Sequence, residues 1–137
     1  MNRLGLEMGQ RARRTKTVSA RDVELYAEIT GDRNPLHFDA DFAGRTRFGR
    51  LVAQGGITAG MLNALVAMDL PGPGTVFMSQ SLRYLAPTYL GDTLTAEVEV
   101  LAVKPDKPVC QLRATITNQD GTVVLEGECW TYTLTPK

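Results

Sequence analysis

Hydrophobic and polar residues alternate through much of the second half of the chain. Residues 94–100 alternate between apolar side chains and threonine or glutamate, and residues 110–117 repeat the pattern. A period of two is typical of a β-strand with one buried face. Thr75–Leu85 is also rich in β-forming residues, and Asp120-Gly121 predicts a tight turn into a last strand over Val123–Leu134. The pattern predicts about four antiparallel strands in this half of the chain.

Two segments of the first half have helical periodicity instead. The first begins at Ser19 with a Ser-x-x-Asp sequence that has the form of a capping box, and its apolar residues recur at helical spacing until Gly31. The second, Gly55–Met68, contains no charged residue and is apolar on nearly every side. A helix of this kind belongs inside a core rather than on a surface. A short strand over Arg11–Val18 is predicted before both helices.

The segment between the two helices, residues 32–50, is polar and is interrupted by one proline and two glycines. We expect it to be mostly loop, with one helical turn near Asp41–Ala43. No internal repeat or linker divides the chain. The order of strand, helix, long loop, buried helix and about four strands indicates an α+β fold, in which one antiparallel sheet wraps around the apolar helix in the hot-dog manner.

Composition narrows the class of function. The 137 residues carry 15 basic and 15 acidic side chains, and the resulting formal charge of zero argues against a protein that grips nucleic acid or an anionic membrane. Two cysteines, Cys110 and Cys129, are too few for a disulfide scaffold. No stretch approaches the roughly 18 apolar residues that a membrane helix needs. We therefore expect a cytoplasmic protein with reduced thiols.

The chain contains one histidine, His37, which excludes a metal site built from several histidines. Asp32 lies shortly before it, in a segment stiffened by Pro35. A carboxylate and an imidazole that share a water molecule form a general acid–base pair, and an unperturbed imidazole titrates near neutrality. In a plainer interpretation, Asp32 caps a turn and His37 lies on a surface loop. Spacing alone does not separate the two.

The sequence Gln54-Gly55-Gly56 opens the second helix. Unpaired N–H groups and the positive dipole end of a helix N-terminus stabilise an oxygen that gains negative charge, and glycine lets a substrate approach that backbone closely. Paired glycines also occur where a sheet passes close to a helix, so both interpretations stay open. No second histidine is present to build a nucleophilic triad, and no Walker or Rossmann motif indicates a nucleotide cofactor.

The segment Tyr26–His37, which ends in Asp-Arg-Asn-Pro-Leu-His, resembles the hydratase motif of the MaoC-like dehydratases, the (R)-specific enoyl-CoA hydratases. The resemblance continues through residues 42–48, the helix start at Gly55, and residues 80–87 and 91–98. It covers about residues 17–134. It implies a single hot-dog domain over residues 1–137, a homodimer, and reversible hydration of trans-2-enoyl-CoA to (R)-3-hydroxyacyl-CoA without metal or cofactor.

The resemblance also implies roles for four residues. Asp32 and His37 would activate the water and carry its proton to C2, and the backbone N–H of Gly55 would bind the thioester oxygen. Asn34 would orient the loop, and a contact of Asn34 with the site stays open. The chain departs from the pattern at Gln54, where many members of the family have a histidine. Because the expected oxyanion donor is a backbone amide, we expect activity to be retained, while an effect of Gln54 on substrate choice stays open.

Two other functions fit the same fold. A hot-dog acyl-CoA thioesterase would share the substrate but hydrolyse it, and many such enzymes carry a carboxylate on or beside the central helix. Gly55–Met68 has none. A non-catalytic acyl-CoA-binding module would need neither Asp32 nor His37 for its function, so replacing either residue separates it from an enzyme.

Overall fold

A computed structural model describes residues 2–137 of the chain, which form five strands and four helices. The elements, in chain order, are β1 (Arg11–Thr17), α1 (Ala20–Thr30), α2 (Pro35–Phe38), α3 (Ala40–Gly44), α4 (Gly55–Met68), β2 (Thr75–Tyr84), β3 (Thr93–Val103), β4 (Val109–Thr117) and β5 (Val123–Thr133). The four strands predicted after α4 are all present. The α+β hot-dog arrangement predicted from the pattern is confirmed.

All five strands belong to one antiparallel sheet, in the order β1-β3-β4-β5-β2. The strand that follows α4 in sequence therefore lies at the far edge, beside β5. One face of the sheet is buried because the apolar residues of the period-two pattern all point the same way. The fully buried residues of this face include Leu94, Ala96, Val98, Leu112, Ala114 and Ile116.

Helix α1 is bounded as the sequence predicts. The Ser19 hydroxyl accepts a hydrogen bond from the backbone N–H of Asp22 at 3.1 Å, and the Asp22 carboxylate accepts one from the N–H of Ser19 at 2.9 Å. Gly31 ends the helix with φ at 84°, a left-handed conformation in which glycine avoids a steric penalty. Asp32 follows directly after this turn.

Helix α4 packs one face against the sheet, through β1, β2 and β3. Its most deeply buried side chains are Met61, Leu62, Leu65 and Val66. The other face is not enclosed: Asn63 and Met68 are exposed, and Gly60 is only half-buried. The helix therefore lies in the core through its sheet-facing side, as its apolar sequence predicts, while its opposite side is only partly covered within residues 2–137.

The segment after α1 contains two short helices, where only one turn near residues 41–43 was predicted. Helix α3 accounts for that turn. Helix α2 was missed, although its start has a recognisable sequence signal: the Asn34 side chain accepts a hydrogen bond from the N–H of Leu36 at 3.0 Å, and Pro35 occupies the first helical position. The consequence is that His37 projects from a helical turn rather than from an extended loop. No helix among residues 2–137 is long and apolar enough to cross a membrane.

Candidate active site

The structure brings Asp32 and His37 together. The Nε2 atom of His37 lies 3.5 Å from Oδ2 of Asp32. The other carboxylate oxygen, Oδ1, accepts a hydrogen bond from the N–H of Asn34 at 3.2 Å and so fixes the turn between them. Asp32 thus does both things that the sequence left open, since one oxygen supports the turn and the other faces the imidazole.

His37 is 8% exposed, so the plainer interpretation, in which it lies on a surface loop, is wrong. Its Nδ1 atom lies 2.7 Å from the carbonyl oxygen of Val52. A carbonyl can only accept, so Nδ1 must carry the proton. In the neutral ring, Nε2 then presents a lone pair toward Asp32.

With the His37 ring neutral, the two facing atoms do not form a good direct hydrogen bond. A neutral Nε2 and an ionised carboxylate are both hydrogen-bond acceptors, and their separation of 3.5 Å is too long for a good hydrogen bond. One water molecule, with two protons to donate, satisfies both groups at once. The Asp32 side chain is 40% exposed, so the pair is open to a ligand from one side.

The first turn of α4 supplies hydrogen-bond donors next to this pair. Gln54 precedes the helix without capping it, and the first backbone bond runs from the N–H of Ile57 to the Gln54 carbonyl at 3.0 Å. Within residues 2–137, the N–H groups of Gly55 and Gly56 have no partner. Free N–H groups at the positive end of a 14-residue helix form a site for an oxygen that develops negative charge.

Two tyrosines lie against these glycines. A Cβ atom added at Gly55 would lie 2.9 Å from Cε1 of Tyr84, and one added at Gly56 would overlap the Tyr26 hydroxyl. Burial, and secondarily the neighbouring Tyr26, raise the pKa of Tyr84, which keeps its hydroxyl protonated. The close approach that requires glycine here is made by the ring of Tyr84, at the end of β2, and by the ring of Tyr26, on α1.

A cavity of about 260 Å³ opens beside Gly55. Its other lining residues include Thr58, Tyr84, Val124 and Arg47, so its interior is mainly apolar and its charged member is an arginine. Neither Asp32 nor His37 lines it; the cavity adjoins the pair through Val52 and Gly55. A larger cavity of about 330 Å³, on the polar face of the sheet, contains none of the predicted site residues.

Both cysteines are buried away from this site and are unpaired. Burial raises the pKa of Cys110 to about 11 and that of Cys129 to about 12. Thiols with such values are almost entirely protonated near neutral pH and are poor nucleophiles. They have the character of core residues, as their position on patterned strands predicts.

Sequence reasoning missed the residues that hold the pair in place. Val52 is an ordinary aliphatic residue in the sequence, and only the fold brings its carbonyl to His37. Gln54 stood out as a departure from a motif, but nothing indicated its contacts. Its side chain is 1% exposed, and its Nε2 atom donates to the carbonyl oxygens of Val23 at 3.0 Å and of Asp32 at 3.4 Å.

Comparison with known proteins gives one consistent result. A family model described as a MaoC like domain matches residues 4–123. The (R)-specific enoyl-CoA hydratase of Aeromonas caviae is 40% identical over 128 residues, which are 93% of this chain and 96% of that protein. The 3-hydroxybutyryl-CoA dehydratase of Methylorubrum extorquens is 44% identical over 123 residues, covering 90% of this chain and 78% of that protein.

Solved structures agree with these sequence matches. An (R)-hydratase from A. caviae involved in PHA biosynthesis superposes with a TM-score of 0.91 at 38% identity, covering 95% of this chain and 98% of its own. An R-hydratase from Pseudomonas aeruginosa, in its unliganded form, gives a TM-score of 0.89 at 39% identity, covering 96% of this chain and 84% of its own.

Proposed function

The chain belongs to the MaoC-like dehydratase family, and from this membership and the site geometry we propose that it is an (R)-specific enoyl-CoA hydratase. The reaction is the reversible addition of water to trans-2-enoyl-CoA, which gives (R)-3-hydroxyacyl-CoA. One observation carries the proposal: Nε2 of His37 and a carboxylate oxygen of Asp32 face each other at 3.5 Å beside the free N–H groups that open α4.

The geometry accounts for each step of the addition. A water molecule held between Asp32 and Nε2 of His37 gives up one proton to the pair while its oxygen forms a bond to C3 of the substrate. The electrons of the double bond move onto the thioester oxygen, which the N–H of Gly55 stabilises. The pair then returns the proton to C2, which restores the carbonyl and leaves the catalyst unchanged. No outside reactant is consumed besides water.

The surroundings of the pair suit an acyl-CoA thioester. The cavity beside Gly55 has an apolar interior for the acyl chain or the pantetheine arm. The Arg47 guanidinium lies at the same cavity and, among residues 2–137, has no carboxylate within 4.0 Å. A free guanidinium attracts the phosphates of CoA. Relatives of this chain include enoyl-CoA hydratases and a 3-hydroxybutyryl-CoA dehydratase, which supports the same substrate class.

We also propose that the chain forms one domain over residues 1–137 and acts as a homodimer. The free edge of β2 carries two exposed hydrophobic side chains, Val76 and Met78, which supports pairing of that edge with a second copy. We propose a cytoplasmic location, which suits the two cysteines, since Cys110 and Cys129 form no disulfide with each other.

The test is incubation of the purified protein with crotonyl-CoA, followed by absorbance at the enoyl-thioester band, chiral analysis of the product and a thiol-detecting dye. Loss of the enoyl band with formation of the (R)-3-hydroxy product and no free thiol is the expected result. Release of free CoA would identify a thioesterase instead. An unchanged substrate would leave a non-catalytic binding module, and an (S) product would mean that the substrate binds with its opposite face to the pair.

A further inference from the structure

A single short segment, Val52–Gly55, contacts every part of the site. Val52 binds α2 through both of its backbone polar groups. Its N–H donates to the Leu36 carbonyl at 3.1 Å, and its carbonyl accepts from the imidazole of His37 at 2.7 Å. Gly55 provides the free N–H group. Between them, the side chain of Gln54 reaches the backbone of Asp32. The same four residues thus contact the acid–base pair and supply the oxyanion donor.

The side chain of Gln54 makes contacts that are unusual for a residue preceding a helix. A residue preceding a helix commonly caps it through a side-chain oxygen, and Gln54 makes no such bond to α4. Its amide turns away and donates to the carbonyl oxygens of Val23 and Asp32. These bonds join the start of α4 to α1 and to the residue that carries the catalytic carboxylate.

The other end of the Gln54 amide is a cost to stability. Its Oε1 atom is buried and has no hydrogen-bond partner within residues 2–137. An unsatisfied buried acceptor is destabilising, and an apolar side chain of the same length would avoid that penalty. A buried polar group kept at such a cost calls for a role for its satisfied end. That end is the Nε2 atom, which donates hydrogen bonds to the backbone carbonyls of Val23 and Asp32.

We infer that Gln54 is a positioning residue, which fixes the distance between the Asp32–His37 pair and the oxyanion-binding N–H of Gly55. This inference rests on the proposed hydratase function. Both groups must act on one substrate, since water adds at C3 while charge develops on the thioester oxygen. A displacement of about 1 Å between such groups can reduce turnover by about 10²-fold. Substrate binding through the cavity and Arg47 does not depend on that distance.

The test is Gln54→Met, which keeps the length of the side chain and removes both N–H donors. We expect kcat with crotonyl-CoA to fall at least about tenfold, with KM within about twofold of the wild-type value. Gln54→His, which restores a ring N–H donor, should recover part of the lost kcat. The matched control is Thr131→Val, which removes another fully buried side-chain bond to a carbonyl, that of Cys110, far from the site. It should leave kcat unchanged.

A second readout does not depend on turnover. His37 is the only histidine, so one imidazole signal in an NMR spectrum reports on the pair without assignment. Gln54→Met should change the chemical shift of that signal, because Asp32 is no longer held in place beside the imidazole. Thr131→Val should leave the chemical shift unchanged. If the wild-type protein fails to hydrate crotonyl-CoA while the signal still moves, the proposed function is wrong, whereas the link from Gln54 to the Asp32–His37 pair stands.

Other outcomes would overturn the inference. These are a Gln54→Met variant with wild-type kcat and an unshifted imidazole signal, or a kcat loss no larger than that of Thr131→Val. Should Gln54→Met fail to fold, Gln54→Leu, which also lacks an N–H donor and adds no buried charge, is judged by the same criteria.

Discussion

One hydrogen bond determines what the imidazole of His37 can do. Because Val52 offers only a carbonyl, the proton of the neutral ring stays on Nδ1, and Nε2 is left as the basic atom facing Asp32. Asp32 is held in the same way, through the N–H of Asn34 on its far oxygen. Each group therefore has one anchored atom and one reactive atom, which is the arrangement that an acid–base pair needs.

Replacing either group should remove most of the activity. Each general acid–base group contributes about 10² to 10⁴-fold, so Asp32→Asn and His37→Gln should each reduce kcat for crotonyl-CoA hydration by about that factor. Both changes nearly conserve shape, and circular dichroism should remain that of the wild type. Asp41→Asn is the matched control, since this carboxylate lies on the same segment but pairs with Arg45 on the surface. Full activity in the Asp32 or His37 variant, with the fold intact, would refute the assignment.

Helix α4 begins where two tyrosine rings leave no space for a side chain. Gly55→Ala places a methyl group 2.9 Å from the Tyr84 ring and beside the free N–H. Since removal of an oxyanion donor costs about 10²–10³ in kcat, we expect partial obstruction to lower kcat/KM about tenfold or more.

Gly60→Ala is the control for that variant, because the same methyl group meets nothing within 4 Å there. It should keep its activity and gain up to about 1 kcal/mol of stability from the better helix propensity of alanine. Steady-state kinetics and thermal melts of the two variants provide the comparison. Equal activity in both would show that the approach to Gly55 is not restricted.

Elements governed by local sequence were predictable, and those governed by distant contacts were not. The capping box at Ser19, helix Gly55–Met68 and the strand after Asp120-Gly121 are encoded within a few residues, and all three are where the pattern predicts them. Helix α2 has a local signal as well, Asn34-Pro35, but four residues are too few for a periodicity to develop. The pairing of β2 with β5 has no local signal, since it depends on the whole sheet.

The same distinction applies to the site. Asp32 and His37 are close in sequence, so a folded-back loop could be expected to bring them together. The carbonyl of Val52 and the amide of Gln54 are near this loop because α4 packs beside α1 in the folded chain. A pattern within one segment cannot predict such contacts, because a backbone carbonyl is present at every residue and its partner is chosen by the fold.

Considered as a whole, the chain has two free sheet edges of different character. The edge strand β1 carries Arg11, Arg13, Arg14 and Lys16, and charges of this kind discourage pairing with another strand. The opposite edge, β2, exposes Val76 and Met78 at 49% and 59%. A symmetric dimer is therefore expected to form through β2, with a mass of about 30 kDa, twice the 15.0 kDa of the chain.

Light scattering of two lysine variants tests this assembly. Met78→Lys puts a charge on the β2 edge and should reduce the mass toward that of the single chain. Thr15→Lys makes a similar change on β1 and should leave the dimer intact. A fully active wild-type protein with the mass of one chain at micromolar concentration would contradict the dimer.

If Asp32 and His37 act through one shared water molecule, the hydroxyl group and the proton must reach the same face of the double bond. The direct measurement is hydration of crotonyl-CoA in D₂O, with the C2–C3 proton coupling of the product read by NMR. We predict that deuterium at C2 and the hydroxyl at C3 have the relative configuration of syn addition. A product with the configuration of anti addition would contradict a shared water molecule, since it would require acid and base on opposite faces of the substrate.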